Sequence, residues 1–161
     1  MKVLVVYYSL NGNTRFIAQN IAGAVGADLL ELRPVNAIPS GGFMRFFWGG
    51  RQAVMKQRPE LAAFDKRPGD YDLLFIGTPV WAFTYAPALA TFLSAVPLAG
   101  KKIALFCCHG GMKGKTLKAL SQDLRGNEIL GTIDFVEPLM NNKETKAEQA
   151  RRWAAGFVAK T

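Results

Sequence analysis

A chain of 161 residues, half of them hydrophobic, is long enough to bury a core without disulfides or a metal, and its composition excludes a disordered chain. Twenty Lys and Arg against twelve Asp and Glu leave a formal charge of +8, which favours acidic partners or surfaces and says nothing about the fold. No dense Lys/Arg block appears, the nearest being the isolated pairs Lys101-Lys102, Lys113 with Lys115, and Arg151-Arg152, so a solvated basic surface is preferred over a nucleic-acid arm.

Residues 2–8 are apolar and rich in valine after Lys2, the pattern of a strand buried on both faces of a parallel sheet. Tyr7-Tyr8-Ser9-Leu10-Asn11-Gly12-Asn13-Thr14 then crosses to a helix whose apolar positions are Ile17, Ala18, Ile21, Ala22 and Val25, with Gly26 as its stop. The first N–H groups of a helix lack internal partners and carry partial positive charge, so this turn suits an anion. Ser9, Asn11, Asn13 and Thr14 add short polar side chains, and Gly12 lets the backbone bend around a guest. Together they describe a phosphate cradle.

Residues 28–33 read as a second strand ended by Pro34. An aromatic-rich insert at about 40–57 follows, with Phe43-Met44-Arg45-Phe46-Phe47-Trp48 at its centre and a helical pattern over 51–57. Packing of these aromatics over an edge of the core is the preferred reading, and a pocket wall or docking face is the alternative. Leu73-Leu74-Phe75-Ile76 forms the heart of a third strand, and Thr78-Pro79-Val80-Trp81-Ala82-Phe83-Thr84-Tyr85 follows it as a loop. Pro87 opens the next helix, with Leu89, Phe92, Leu93 and Val96 turned inward.

Residues 102–108 form a fourth strand, leading into His109-Gly110-Gly111-Met112-Lys113-Gly114. Leu117, Leu120 and Leu124 mark a short helix, and residues 129–136 a fifth strand. Asn141 with Glu144 three places later resembles a capping box before a last helix lined by Ala147, Ala150, Ala154, Phe157 and Val158.

Five strands alternating with helices predict one doubly wound α/β domain over 1–161, a five-stranded parallel sheet of order 2-1-3-4-5 with helices on both faces. Ligands of such sheets bind beyond the carboxyl ends of the strands, near the place where strand order reverses. That rule selects the loops at 9–14, 78–85 and 108–115. The first would take a phosphate. Trp81, Phe83 and Tyr85 suit a flat aromatic guest, and the glycines and His109 suit the polar edge of a ring. Phosphate, spacer and planar heteroaromatic ring describe flavin mononucleotide.

These residues resemble a known family. Ser9-x-Asn11-Gly12-Asn13-Thr14 after a first strand is similar to the phosphate loop of flavodoxins, Thr78-Pro79-Val80-Trp81 to their first flavin-flanking loop, and Cys107-Cys108-His109-Gly110-Gly111 stands in the place of the second. The resemblance implies an FMN site in which Ser9, Asn11, Asn13 and Thr14, with backbone amides from Leu10 through Gly12 to Thr14, hold the phosphate. It implies that Trp81 packs on the ring, that Thr78, Pro79 and Val80 line its inner side with Ala82 and Phe83 beyond them, and that Cys108, His109, Gly110 and Gly111 approach the pyrimidine edge.

It also implies an electron carrier working between redox partner proteins. The alternative is an NAD(P)H-dependent oxidoreductase acting on a quinone or other small acceptor. Neither mechanism requires a side chain as acid or base, so no catalytic residue is assigned. Three departures stand out. Asn11 replaces a threonine, and the chain is basic where electron-carrier flavodoxins are acidic, which points to partners with acidic docking surfaces. Ala82-Phe83 contains no glycine, so a positive φ there costs more than in the family.

Other readings are weaker. Gly110-Gly111-Met112-Lys113-Gly114-Lys115-Thr116 nearly matches a nucleotide P-loop, but the required first glycine falls on His109. A phospho-acceptor receiver needs acidic residues where Tyr8-Ser9 and Thr78 stand. A regulatory or nucleic-acid-binding module on the same scaffold is the non-enzymatic alternative and would leave the cradle without FMN. Adjacent Cys107 and Cys108 are expected as buried thiols rather than a redox pair, and one histidine with no Cys-x-x-Cys spacing gives no metal site. Charged or polar residues interrupt every longer apolar run, so no membrane insertion and a cytoplasmic location are expected.

Overall fold

The structure is a computed structural model, and it describes residues 1–36 and 58–159. The aromatic segment at 43–48 and the helical pattern at 51–57 lie outside the described residues. The elements are β1 (Val3–Tyr7), α1 (Asn13–Val25), β2 (Asp28–Glu31), β3 (Leu73–Trp81), β4 (Thr84–Tyr85), α2 (Pro87–Ala95), β5 (Lys102–His109), α3 (Thr116–Asp123), β6 (Glu128–Val136) and α4 (Lys143–Val158). Five strands run parallel in the order β2-β1-β3-β5-β6, and the two-residue β4 pairs antiparallel with the end of β3. With β4 set aside, this is the predicted 2-1-3-4-5 sheet.

The valine-rich strands are continuously apolar because each face meets a helix layer. Leu4, Val6, Leu74, Ile76, Ile103 and Leu105 join Leu89 and Phe92 of α2 and Leu120 of α3 in one core. The intervening residues Val3, Val5, Leu73, Phe75, Ala104 and Phe106 join Ile17 and Ile21 of α1 and Ala150 and Ala154 of α4 in the other. Successive side chains of a strand point to opposite faces, so the doubly wound layering follows from period two within each run. Phe75, Phe92, Phe106 and Phe135 are fully buried, each stabilising the fold by roughly 1.5–3 kcal/mol relative to exposure. No described helix is long and apolar enough to cross a membrane.

Three local expectations are corrected. The second strand stops at Glu31 rather than Arg33, and Pro34 instead forms an isolated antiparallel bridge with Leu61. Residues 78–85 are not simply a loop, because β3 runs on through Trp81 and folds back as β4, with Trp81 opposite Thr84. The capping box does not form: α4 is capped by Asn142 with φ 50° and no side-chain bond, while Asn141 donates to Glu137 and Glu144 pairs with Arg151.

Candidate functional site

The chain leaves β1 toward β2 on one side and returns to β3 on the other, so strand order reverses between β1 and β3. A cleft of about 90 Å³ opens at that end of the sheet, lined by Leu10, Asn11, Asn13, Pro79, Val80, Trp81, Cys108, His109, Gly110 and Glu137. The three predicted loops therefore meet. Ser9, Gly12, Thr14, Thr78, Ala82, Phe83 and Gly111 are not part of that lining, and their roles differ.

In the first loop Gly12 caps α1 with φ 93°, in the left-handed region that residues with a Cβ enter at a cost. Ser9 Oγ accepts the N–H groups of Gly12 and Arg15, both at 3.2 Å, and Asn11 Oδ1 accepts that of Asn13 at 3.3 Å. Among the described residues, no acceptor meets the N–H groups of Leu10, Asn11 or Thr14. Helix α1 carries no acidic residue in its first turn, so nothing there offsets the positive end of its dipole. Asn13 turns its Oδ1 toward the N–H of Leu139, 3.0 Å away, tying the loop to the β6–α4 connection. Thr14 is 1% exposed and hydrogen bonds with Cys108, so its side chain braces the loop from beneath.

The second loop is a two-residue turn with φ 46° at Ala82 and 64° at Phe83. Hairpin turns of this length favour positive φ at both central residues because the backbone twist then matches that of the strands. Each residue with a Cβ costs roughly 1–2 kcal/mol in that conformation. Contacts from the third loop offset the strain: the Lys115 N–H donates to the Phe83 carbonyl at 2.9 Å, and a Cβ on Gly114 would fall 2.7 Å from both Cβ and O of Phe83. Thr78 Oγ1 accepts the Ala86 N–H at 3.0 Å and donates to the Pro79 carbonyl, closing the base of the hairpin. Trp81 is only 8% exposed and meets Tyr8 edge-on, ring centroids 5.5 Å apart. Burial and then the charge of Glu31 push the Tyr8 phenol up to about 12, so it stays neutral beside the indole.

In the third loop the His109 side chain is 5% exposed. Its Nδ1 accepts the Gly111 N–H at 3.1 Å, which leaves Nε2 to carry the proton and donate to Asp134 Oδ2 at 2.9 Å. Lys113 binds the other oxygen of Asp134 at 2.9 Å. Burial works to raise the Asp134 carboxyl, but hydrogen bonds from His109 and Lys113 outweigh it and hold the group below its ordinary range. The imidazole is thus committed to shaping the 109–111 turn.

Glu137 lines the cleft and Asp134 holds the His109 ring beside it, and neither carboxylate was singled out in the sequence. The rule that selects strand ends applies to β6 as well, and a carboxylate before Pro138 at that end was the available signal. The near-match to a P-loop loses its last element, since Thr116 is fully buried at the start of α3.

Comparison with known proteins decides the family. A flavodoxin family model matches residues 2–156. The chain belongs to the flavodoxin family. No curated protein matches it in a direct sequence search. Among solved structures, a flavoprotein in complex with FMN from Lactobacillus acidophilus superposes with a TM-score of 0.73 at 22% identity, over 89% of this chain and 98% of that one. Oxidised flavodoxin 2 from Bacillus cereus gives 0.62 at 20%, covering both chains completely. Two-electron reduced flavodoxin from Megasphaera elsdenii gives 0.59 at 23%, over 96% of this chain and 98% of that one. At such identities these structures share the fold.

Within this flavodoxin-family chain the two cysteines are both buried and free. Burial pushes the Cys107 thiol up to about 12 and raises that of Cys108 as well. Since the thiolate is the reactive form, neither thiol should react with a disulfide reagent at pH 8 in the folded protein, and both should react once the chain is unfolded in urea. Rapid modification of either thiol before unfolding would contradict the packing of β5.

Proposed function

We propose that this chain binds FMN in the cleft and carries electrons between redox partner proteins. The observation behind the reading is the meeting of three strand-end loops at the switch point, in front of a helix terminus with unspent N–H groups. Flavodoxin sheets are themselves the standing illustration of ligand binding at that position. The donor set suits a phosphate: the N–H groups of Leu10, Asn11 and Thr14, the Ser9 hydroxyl and the dipole of a 13-residue helix all favour an anion. Trp81, Pro79 and Val80 offer an apolar wall for a planar ring, and Gly110 and His109 offer backbone groups to its polar edge.

When bound, FMN supplies one- and two-electron transfer. The protein holds the phosphate, packs the ring and keeps water from its inner side. A cleft of about 90 Å³ lies well below the roughly 300–1,000 Å³ that encloses a drug-sized ligand, so part of a three-ring guest stays at the surface. That favours electron passage to a docked protein. Phe83 and Met112, 59% and 67% exposed, are apolar residues of the second and third loops available to a partner, and the chain's net charge of +8 suits one with an acidic face.

Titration of the purified protein with FMN should quench flavin fluorescence to an endpoint of one FMN per chain. The yellow complex should bleach slowly with NADH or NADPH alone and rapidly once a partner reductase is added. Unchanged fluorescence would overturn the FMN reading. Rapid bleaching by nicotinamide alone would overturn the carrier reading in favour of an oxidoreductase.

A further inference from the structure

Two lysines stand where helix α3 disfavours them. Lys115 caps its N-terminus and Lys118 lies in its first turn, both exposed, and no acidic residue shares that turn. The positive end of a helix dipole repels cations, so each charge works against the helix it begins. Among the described residues, neither ammonium takes part in an ion pair or a hydrogen bond.

Their placement is fixed. The Lys115 N–H holds the Phe83 carbonyl, and the Tyr85 hydroxyl donates to the Asp123 carboxylate at the far end of the helix, so α3 is clamped against the β3–β4 hairpin. That clamp sets the exposed Phe83 beside the two lysines, and the exposed Met112 lies in the loop that leads from Gly110 of the cleft to Lys115.

On the other face of the sheet the cations near the cleft are occupied. Arg15 of α1 pairs with Glu31, Lys143 of α4 lies over the Phe16 ring with Nζ 5.2 Å from its centroid, and the Lys146 ammonium bonds the Val136 carbonyl. Lys113 is held by Asp134. Unspent positive charge therefore gathers at the start of α3, next to exposed apolar side chains.

Resting on the carrier reading, we propose that Lys115, Lys118, Phe83 and Met112 form the docking surface for a redox protein that presents carboxylates around an apolar spot. The partner then approaches the cleft over α3 and not over α1 and α4. The lysines steer the encounter and set its orientation, while the two apolar side chains are buried at the centre of the contact.

The probes are an acidic blue-copper protein and a basic c-type cytochrome, titrated against the protein with and without FMN at low salt. The acidic probe should bind and the basic one should not. Binding should fade as salt shortens the screening length from about 30 Å at about 0.01 M to about 8 Å at about 0.15 M. Lys115→Glu and Lys118→Glu should each weaken the acidic probe roughly tenfold at low salt. Lys143→Glu, the same charge reversal in the first turn of α4, should leave its affinity within about twofold. Both α3 variants replace a charge that the helix dipole disfavours with one it favours, so Tm should hold or rise, which separates lost docking from lost folding. In the FMN-loaded protein the same two variants should slow electron transfer to the copper: each copper takes one electron, two coppers reoxidise a fully reduced flavin, and the flavin's protons pass to water.

Unchanged affinity in the α3 variants, an equal loss in Lys143→Glu, or preference for the basic probe would overturn the assignment. So would lysine-dependent binding to phosphatidylglycerol vesicles without binding to the acidic protein, which would make this a surface for an anionic membrane. If the acidic probe binds as expected but the unmodified protein fails to quench FMN, it is the FMN reading that fails.

Discussion

Gly77→Ala is expected to lower the stability of the fold by about 3 kcal/mol or more, toward the upper end of what overpacking a core costs. Gly77 sits mid-sheet, with Tyr7 of β1 on one side and Phe106 of β5 on the other. A Cβ there would lie 2.1, 2.4 and 2.6 Å from three atoms of the Phe106 ring. Such contacts require movement, and the ring is fully buried in the layer under α1 and α4. For a chain of this size the loss corresponds to a fall of roughly 10 °C in Tm.

Urea denaturation would measure the change, and Phe106→Leu in the Gly77→Ala background separates overlap from any other cause. Removing the ring should recover at least ~1 kcal/mol relative to the sum of the two single changes. Strict additivity would mean that the ring is not what excludes a side chain from position 77.

Gly12→Asp should weaken FMN binding by roughly 1,000-fold or more while leaving the secondary structure intact. Two effects add. A residue with a Cβ held at φ 93° loses roughly 1–2 kcal/mol, and a carboxylate about 6 Å from a phosphate repels it by ~3 kcal/mol per unit charge at an effective dielectric of ~20.

Gly12→Ala isolates the first effect. Its Cβ would meet Leu139 Cδ1 at 3.3 Å, the end of a flexible side chain, so the contact can relax and a loss of about tenfold is expected. Fluorescence titration of both variants gives the comparison. An aspartate variant that binds FMN within threefold of the original would remove the phosphate from this loop.

The strands and their layering are legible because each strand has only two faces and both are covered. Val3 through Tyr7 are all buried, which an apolar run without polar alternation already states. The helices declare themselves by spacing, and the site by the rule that ligands gather at strand ends.

What escapes the sequence depends on residues far along the chain. Nothing in Ala82-Phe83 announces a tight hairpin; the turn is held by Gly114 and Lys115, some thirty residues later. His109 looks like a ligand-facing group until Asp134 appears on the adjacent strand to accept the hydrogen bond from its Nε2. Asn141 and Glu144 satisfy a local capping pattern, but Glu137 and Arg151 claim their side chains first. In each case a tertiary partner outcompetes the nearest neighbour in sequence.

The support that Gly114 and Lys115 give to the Ala82-Phe83 turn also limits how this site can diverge. The two loops come from different strand ends yet behave as one module: any side chain at 114 displaces the turn, and a turn of another shape loses the Lys115 hydrogen bond. Neither can drift alone. Substitutions in one segment are tolerated only with matching change in the other, so relatives that keep this hairpin should inherit the pair together, and a designer moving the site to another scaffold has to transplant both segments at once.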